Sequence, residues 1–214
     1  MNRESGSVAA QQTKIGETAS VSAGADGKYA ADPVSADVNI AGLEIEGILS
    51  PKAERSRLGE EYRMIKRPLL VKAFTGNNKI GRPLNLIMIS SAVPGEGKTY
   101  TTLNLAISIA LELDRTILVV DADLAKPSLS RLLGVNDRPG FTECLQDKKL
   151  DLGNYLLKTD VPKLSVLPAG KRNSRATELL ASRNMTARLE ELSSRYSDRI
   201  VLFDSPPLLA TSEA

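Results

Sequence analysis

Residues Ala92 to Thr99 read Ala-Val-Pro-Gly-Glu-Gly-Lys-Thr and follow the apolar run Leu84-Asn-Leu-Ile-Met-Ile-Ser90. A lysine and a hydroxyl residue that close a glycine-rich turn, between a strand and a helix, form a phosphate-binding loop. The pattern is the relaxed form of the Walker A motif, with Ala92 where the strict form has glycine. Gly95 and Gly97 can take positive φ and let backbone N–H groups approach phosphate oxygens. A helix beginning at Thr99 adds its positive dipole end. Lys98 is expected at the β- and γ-phosphates and the Thr99 hydroxyl on Mg²⁺. The expected nucleotide-contacting residues are Pro94, Gly95, Glu96, Gly97, Lys98, Thr99 and Tyr100.

Three aspartates follow where an α/β sheet places its chemistry, at the carboxyl ends of strands. Asp121-Ala-Asp123 comes directly after Thr116–Val120. Strand alternation puts Asp121 and Asp123 on one side if the chain stays extended. Such a pair binds Mg²⁺ or accepts a hydroxyl proton; a polar turn after a strand would look the same. Asp204 ends the apolar run Ile200–Phe203 and precedes Ser205-Pro206-Pro207. That matches the Walker B pattern, whose carboxylate supports Mg²⁺. The prolines keep the strand from passing into a regular helix. Lys126-Pro127 follows the acidic pair; Lys126 is either a group that approaches a phosphate or partner, or a surface lysine.

The elements that must position these residues alternate between strand and helix. Leu84–Ser90 reads as the first strand and Thr99–Leu113 as the first helix. Thr116–Asp121, Leu164–Leu167 and Arg199–Asp204 read as further strands. Short helices are expected near Ser128–Leu133 and Thr142–Gln146, and a longer one over Thr186–Tyr196. Apolar strands alternating with helices imply a mainly parallel sheet covered on both faces, an α/β three-layer sandwich. Ser56–Phe74 reads as an amphipathic helix broken at Pro68, with Leu58, Tyr62, Ile65 and Leu69 on one face and Lys66 on another. Met1 to about Asn39 is rich in Ala, Ser, Gly and Asp and reads as disordered. Ile40–Ile48 has apolar residues without an evident partner, and Ser50-Pro51 marks a boundary. The expected organisation is a tail over 1–50, a helical segment and linker over 51–83, and a catalytic domain over 84–214.

Composition narrows the function classes. The formal charge is +2 over 214 residues, which does not indicate a dedicated nucleic-acid binder. Residues 1–50 hold three basic and seven acidic residues, a balance of −4, which leaves +6 for the remainder. A single cysteine, Cys144, forms no internal disulfide and fits a reducing cytoplasm. It also argues against a cysteine-ligated iron–sulfur ATPase, unless a dimer shares ligands. The chain has no histidine to act as base or ligand. No apolar run approaches the length of a transmembrane helix, and no hydrophobic signal segment is evident at the N-terminus.

Read together, the motifs resemble the bacterial tyrosine kinases, the P-loop autokinases of exopolysaccharide export, and among them the exosortase-associated tyrosine autokinases. The resemblance runs from about Gly59 to Ala214. It is carried by Glu60-Glu-Tyr-Arg63, Ala92–Thr99, Val119-Val-Asp-Ala-Asp-Leu-Ala-Lys-Pro127, Leu167-Pro-Ala-Gly170, Ala176-Thr-Glu-Leu-Leu180 and the stretch Ile200–Ala214. It implies a P-loop NTPase fold, ATP and Mg²⁺ as cofactors, and transfer of phosphate to tyrosine. It also implies roles. Lys98 and Thr99 belong to Walker A. Asp121, in the acidic motif called Walker A′ in this family, activates the tyrosine hydroxyl. Asp123 helps organise Mg²⁺, and Asp204 is the Walker B carboxylate. Catalytic residues are then Lys98, Asp121 and Asp123, and metal-binding residues Thr99, Asp123 and Asp204. Glu60, Arg63 and the basic residue three positions on, here Lys66, are expected to mediate homo-oligomer assembly. Lysine lacks the planar fork that arginine offers there. The implied partner is an inner-membrane co-polymerase or chain-length protein that would hold the chain at the cytoplasmic side of that membrane.

The sequence departs from the family in three places. Ala125 stands where many members have arginine. The chain ends ten residues past Asp204, where members continue with more sheet, part of the adenine pocket and a tyrosine-rich tail. Its five tyrosines, Tyr29, Tyr62, Tyr100, Tyr155 and Tyr196, form no cluster. The expectation is therefore a fragment of a longer kinase, lacking the C-terminal part of the sheet. If the family's strand order holds, the phosphate-loop strand would then present an open edge. Two alternatives stand beside the kinase reading. One is a partitioning ATPase of the MinD/ParA type, although the loop lacks the extra lysine usual there. The other is a non-catalytic nucleotide-binding remnant.

Overall fold

The computed structural model of the protein describes residues 37–43, 47–50, 56–75, 84–195 and 198–209. The expected tail through residue 36, Tyr29, Tyr196 and the closing residues 210–214 lie outside the described residues.

The sheet is built on two strands that are apolar on both faces, Thr116–Asp121 (β2) and Arg199–Asp204 (β5). Leu86–Ile89 (β1) lies beside β5, and Leu164–Leu167 (β4) lies beside β2. The order is β1-β5-β2-β4-β3, all parallel except Leu157–Lys158 (β3), which pairs antiparallel with β4. Alternation along the central strands feeds two cores. Ile117, Val119, Ile200 and Leu202 pack with Leu103 and Ile107 from Lys98–Ala110 (α2). Leu118, Val120, Val201 and Phe203 pack on the other face with Phe141 and Leu145 from Phe141–Gln146 (α4) and Leu192 from Arg183–Ser194 (α6). Ser128–Leu132 (α3) and Ala176–Leu180 (α5) are short helices in the connections. Helices on both faces of a mostly parallel sheet make the expected α/β sandwich.

The register does most to position the chemistry. Asp121 pairs with Asp204 across β2 and β5, and Ile89 at the end of β1 pairs with Asp204 on the other side. Three strand ends therefore meet at one line across the sheet. Among the described residues β1 borders only β5, and Met88 on it is 63% exposed.

The first helix departs from its expected form. Arg57–Thr75 (α1) runs unbroken through Pro68. Its buried positions are Tyr62 and Lys66, while Ile65 is exposed. The Lys66 Nζ donates to Ser108 O at 2.6 Å and pairs with Glu112 Oε1 at 2.6 Å. Ser108 lies in the last turn of α2, where carbonyls lack a helical partner and attract a cation. Lys66, expected at a contact between subunits, is within one chain a buried link between α1 and α2. Glu60 and Arg63 are half-exposed and pair with each other at 3.0 Å.

Part of the expected tail packs on the domain. Val38 and Ile40 are buried. Val38 N donates to Lys158 O, and Asp160 N donates back to Val38 O. Asp160 accepts from the N–H groups of Ile40 and Ala41 at 2.6 and 2.9 Å. Residues 47–50 lie along α2: Leu49 is buried and its N–H donates to Asn104 Oδ1 at 2.7 Å. Val38, Ile40 and Leu49 thus find partners in β3, its following turn and α2.

Candidate active site

The phosphate loop spans the gap between β1 and α2. Gly95 and Gly97 have φ of 87° and 86°. A Cβ at either would meet no atom within 4 Å, so glycine is required for its backbone conformation rather than for space. Glu96 Oε2 accepts from Val93 N at 3.0 Å and closes the turn. Thr101 N bonds Gly97 O at 2.8 Å, and no side-chain bond caps the start of α2. Its first N–H groups therefore face the loop's hollow, an arrangement suited to an anion.

A brace that local patterns do not reveal holds the loop from one side. Ser205 N and Oγ donate to Ile89 O at 3.2 and 2.9 Å. Leu208 N donates to Ser91 O and Leu209 N to Ala92 O, at 2.8 and 3.0 Å. The Ser205–Leu209 stretch after the Asp204 strand thus follows the loop as an extra backbone partner.

Asp204 is buried at the centre of this assembly. Its Oδ2 accepts from Thr99 Oγ1 at 2.7 Å. Thr102 Oγ1 donates to Lys98 O at 2.9 Å and lies 3.3 Å from Asp204 Oδ1. Burial pushes the Asp204 carboxyl above its ordinary value, opposed by the two threonine hydroxyls and the Lys98 charge; Asp123 adds a smaller upward push.

Asp121 is more enclosed. It has no exposed surface, and its Oδ2 accepts from both Ser130 N and Ser130 Oγ at 2.7 Å. Ser130 Oγ in turn accepts from Ala169 N at 3.0 Å. Burial raises the Asp121 carboxyl from 3.8 to about 7, with the Ser130 bonds acting against the rise. The strand stops at Asp121, because Asp121 Oδ1 accepts from Asp123 N at 3.3 Å and turns the chain. Extended alternation therefore does not carry on to Asp123. That residue stays largely buried and its Oδ1 caps the next turn, accepting from Lys126 N at 2.9 Å. Lys126 itself is exposed.

The structure thus brings Lys98, Thr99 and Asp204 together, with Asp123 close enough to act on Asp204 electrostatically. Tyr100 points elsewhere: its hydroxyl donates to Gly47 O at 2.6 Å. Among the described residues no group of three His, Cys, Asp or Glu side chains is disposed to hold a metal ion. The donors present are a hydroxyl and carboxylates, hard oxygens that suit Mg²⁺, an ion that takes one or two carboxylates and completes its shell with phosphate and water. Sequence reasoning missed Ser130 and Thr102, which carry no motif of their own, and gave Ala169 no role beyond its place in the Leu167–Gly170 motif.

Comparison with known proteins agrees with this geometry. The AAA domain family matches residues 84–213. The tyrosine-protein kinase ptk of Acinetobacter johnsonii is 36% identical over 129 residues, covering 60% of this chain and 17% of the relative. The tyrosine-protein kinase YwqD of Bacillus subtilis is 30% identical over 167 residues, covering 78% of this chain and 66% of the relative. The chain therefore spans about a sixth of the first relative and just under two thirds of the second. The solved kinase domain of Escherichia coli tyrosine kinase ETK superposes with a TM-score of 0.61 at 29% identity, over 74% of this chain and 58% of that one. Among the described residues no helix is long and apolar enough to cross a membrane. The chain belongs to the AAA domain family, and in sequence and fold it is similar to bacterial tyrosine kinases.

Proposed function

We propose that the protein is an ATP-dependent protein-tyrosine kinase that acts in exopolysaccharide production and phosphorylates its own kind. The observation that carries this reading is the 2.7 Å bond from Thr99 to Asp204, with Asp121 as the register partner of Asp204. It joins the start of the phosphate-loop helix to the strand ends that hold the acidic groups.

In this reading the loop N–H groups of Gly95 to Thr99 and the Lys98 ammonium hold the phosphates. Thr99, Asp204 and Asp123 hold Mg²⁺, which when bound neutralises phosphate charge. Asp121 takes the proton of the tyrosine hydroxyl, so that the phenolic oxygen bonds to the γ-phosphorus and ADP leaves. A carboxyl raised to about 7 is matched to proton transfer near neutral pH. The atom free for that proton is Asp121 Oδ1, whose one bond is long at 3.3 Å. Access to it calls for the 123–126 turn to move aside. Tyr100 contributes at most its backbone to nucleotide binding, given the hydroxyl bond to Gly47 O.

Assembly into a homo-oligomer is assigned to Glu60 and Arg63, both half-exposed on α1, without Lys66. An inner-membrane polysaccharide co-polymerase is the proposed partner that keeps the chain at the cytoplasmic face. Calorimetric titration with ATP tests the nucleotide site. The wild-type chain is expected to bind ATP more tightly with Mg²⁺ than with EDTA, and Lys98→Met to lose that binding. Equal affinities in all three titrations would sink the assignment.

A further inference from the structure

A second polar pocket, of about 480 Å³, lies outside the phosphate site. It is lined by Arg131 from α3, by Gly170, Lys171 and Arg172 after β4, and by Asn136 and Asp137. Arg131, Lys171 and Arg172 are exposed. Among the described residues none of the three forms an ion pair. The one carboxylate on the wall, Asp137, accepts from Asn136 Nδ2 at 3.1 Å. Three cations face one carboxylate, so the pocket is a positive site with no internal counter-charge of equal size.

The segment that carries Gly170 and Lys171 is tied by hydrogen bonds to the start of α4. Phe141 N and Thr142 N donate to Pro168 O and Ala169 O at 2.8 and 2.9 Å. Glu143 accepts from Gly140 N at 2.7 Å and from Lys171 N at 3.1 Å. A Cβ on Gly140 would lie 2.0 Å from Pro168 O, so these two loops are in close backbone contact. Gly170 takes φ of 85° there, a turn that sends Lys171 and Arg172 to the pocket.

The pocket is also tied to the proposed base. Ser130, which holds Asp121, immediately precedes Arg131; Ala169, which bonds Ser130, immediately precedes Gly170. The same three-residue link that fixes the Asp121 carboxylate sets the two walls of the pocket side by side. A ligand held there would rest on the two segments that this link joins to Asp121 at the end of β2.

We propose that this basic pocket docks an acidic stretch of the protein substrate beside its target tyrosine. The proposal rests on the kinase reading for the identity of its ligand, while its test does not depend on catalysis. Guanidinium groups suit carboxylates because their planar fork matches the carboxylate pair. Opposite charge at exposed groups also speeds encounter and selects among partners more than it tightens binding.

The probe is a fluorescein-labelled peptide with one tyrosine between two runs of glutamate, followed by fluorescence anisotropy with the whole chain. Binding is expected to weaken with added salt. Reversing two exposed charges, in Arg131→Glu with Arg172→Glu, is expected to weaken it about tenfold. The same charge change in Lys148→Glu with Lys149→Glu, on exposed residues outside the pocket, is expected to leave it unchanged. Lys98→Met is expected to bind the peptide normally, which separates failure of docking from failure of phosphotransfer. Equal loss in both double variants, no loss in either, or binding to phosphatidylserine vesicles in place of the peptide would overturn the proposal.

Discussion

The hydroxyl of Thr99 donates to the carboxylate of Asp204 at 2.7 Å, across 105 residues of sequence. The contact exists because β1 and β5 are neighbours in the sheet, with Ile89 in register with Asp204. One strand launches the phosphate loop and the other delivers the acid to its helix.

Replacing Asp204 by Asn tests that junction. Asp204 is a proposed Mg²⁺ holder that also orients the Thr99 hydroxyl, and loss of the orienting role alone lowers metal affinity by about 10- to 100-fold. Mg²⁺-dependent ATP binding is therefore expected to fall by that order, while any binding in EDTA stays the same. Because burial already penalises the Asp204 charge, the variant is expected to melt no lower than the wild type. Titration calorimetry and thermal unfolding check the two halves.

Asp121 predicts a stability that falls with rising pH. Its folded carboxyl lies at about 7 against an ordinary 3.8, so between those values the folded state binds more protons than the unfolded one. Stability of the nucleotide-free protein is then greatest on the acid side of this window and is lost as pH rises through it. Buried Asp204 shifts in the same direction. Melting temperatures measured from about pH 5 to about 8 should decline, and Asp121→Asn should flatten the decline. A wild-type profile that rises over that range would contradict the burial described here.

Lys66 is expected to matter for folding rather than assembly. Lys66→Ala leaves the Ser108 carbonyl without its partner and costs about 1–3 kcal/mol, the range for a buried unsatisfied group. Arg63→Ala, on the open face of the same helix, should change stability by no more than about 0.5 kcal/mol. Urea denaturation of the two variants compares them directly.

Most of the frame around the candidate site is legible in the sequence. β2, β4 and β5 have the extents that their apolar runs imply, because strands buried on both faces leave an unbroken signal. The phosphate-loop motif is legible because its glycines and Lys98 stand at fixed spacing between a strand and a helix. α1 is only half legible. Its period is right, but Ile65 and Lys66 exchange faces because a lysine can reach the carbonyl end of α2, which no local pattern encodes. β3 has two residues and no period to read. Val38 and Ile40 pack through partners more than a hundred residues away, so composition alone assigns them to a tail. The link from Asp121 through Ser130 to Ala169 is likewise a product of the fold, as is the brace formed by Ser205 to Leu209.

Cys144 should be silent in the native state. It is fully buried, and burial pushes its thiol up to about 11. The thiolate is the reactive form, so a thiol reagent near pH 8 is expected to modify the chain only after denaturant is added. Reaction at the native state's outset would mean that the α4 face of the core opens.

The central claim is phosphotransfer to tyrosine, and the most direct measurement is phosphotyrosine itself. The chain is incubated with Mg²⁺, γ-labelled ATP and a glutamate–tyrosine copolymer, and label on tyrosine is counted for wild type and Lys98→Met. Label should appear on the wild-type chain's own tyrosines or on the copolymer and fall by about 10²-fold or more in the variant, the scale of losing a key electrostatic stabiliser. ATP hydrolysis without phosphotyrosine, or equal label from the two chains, would contradict the account.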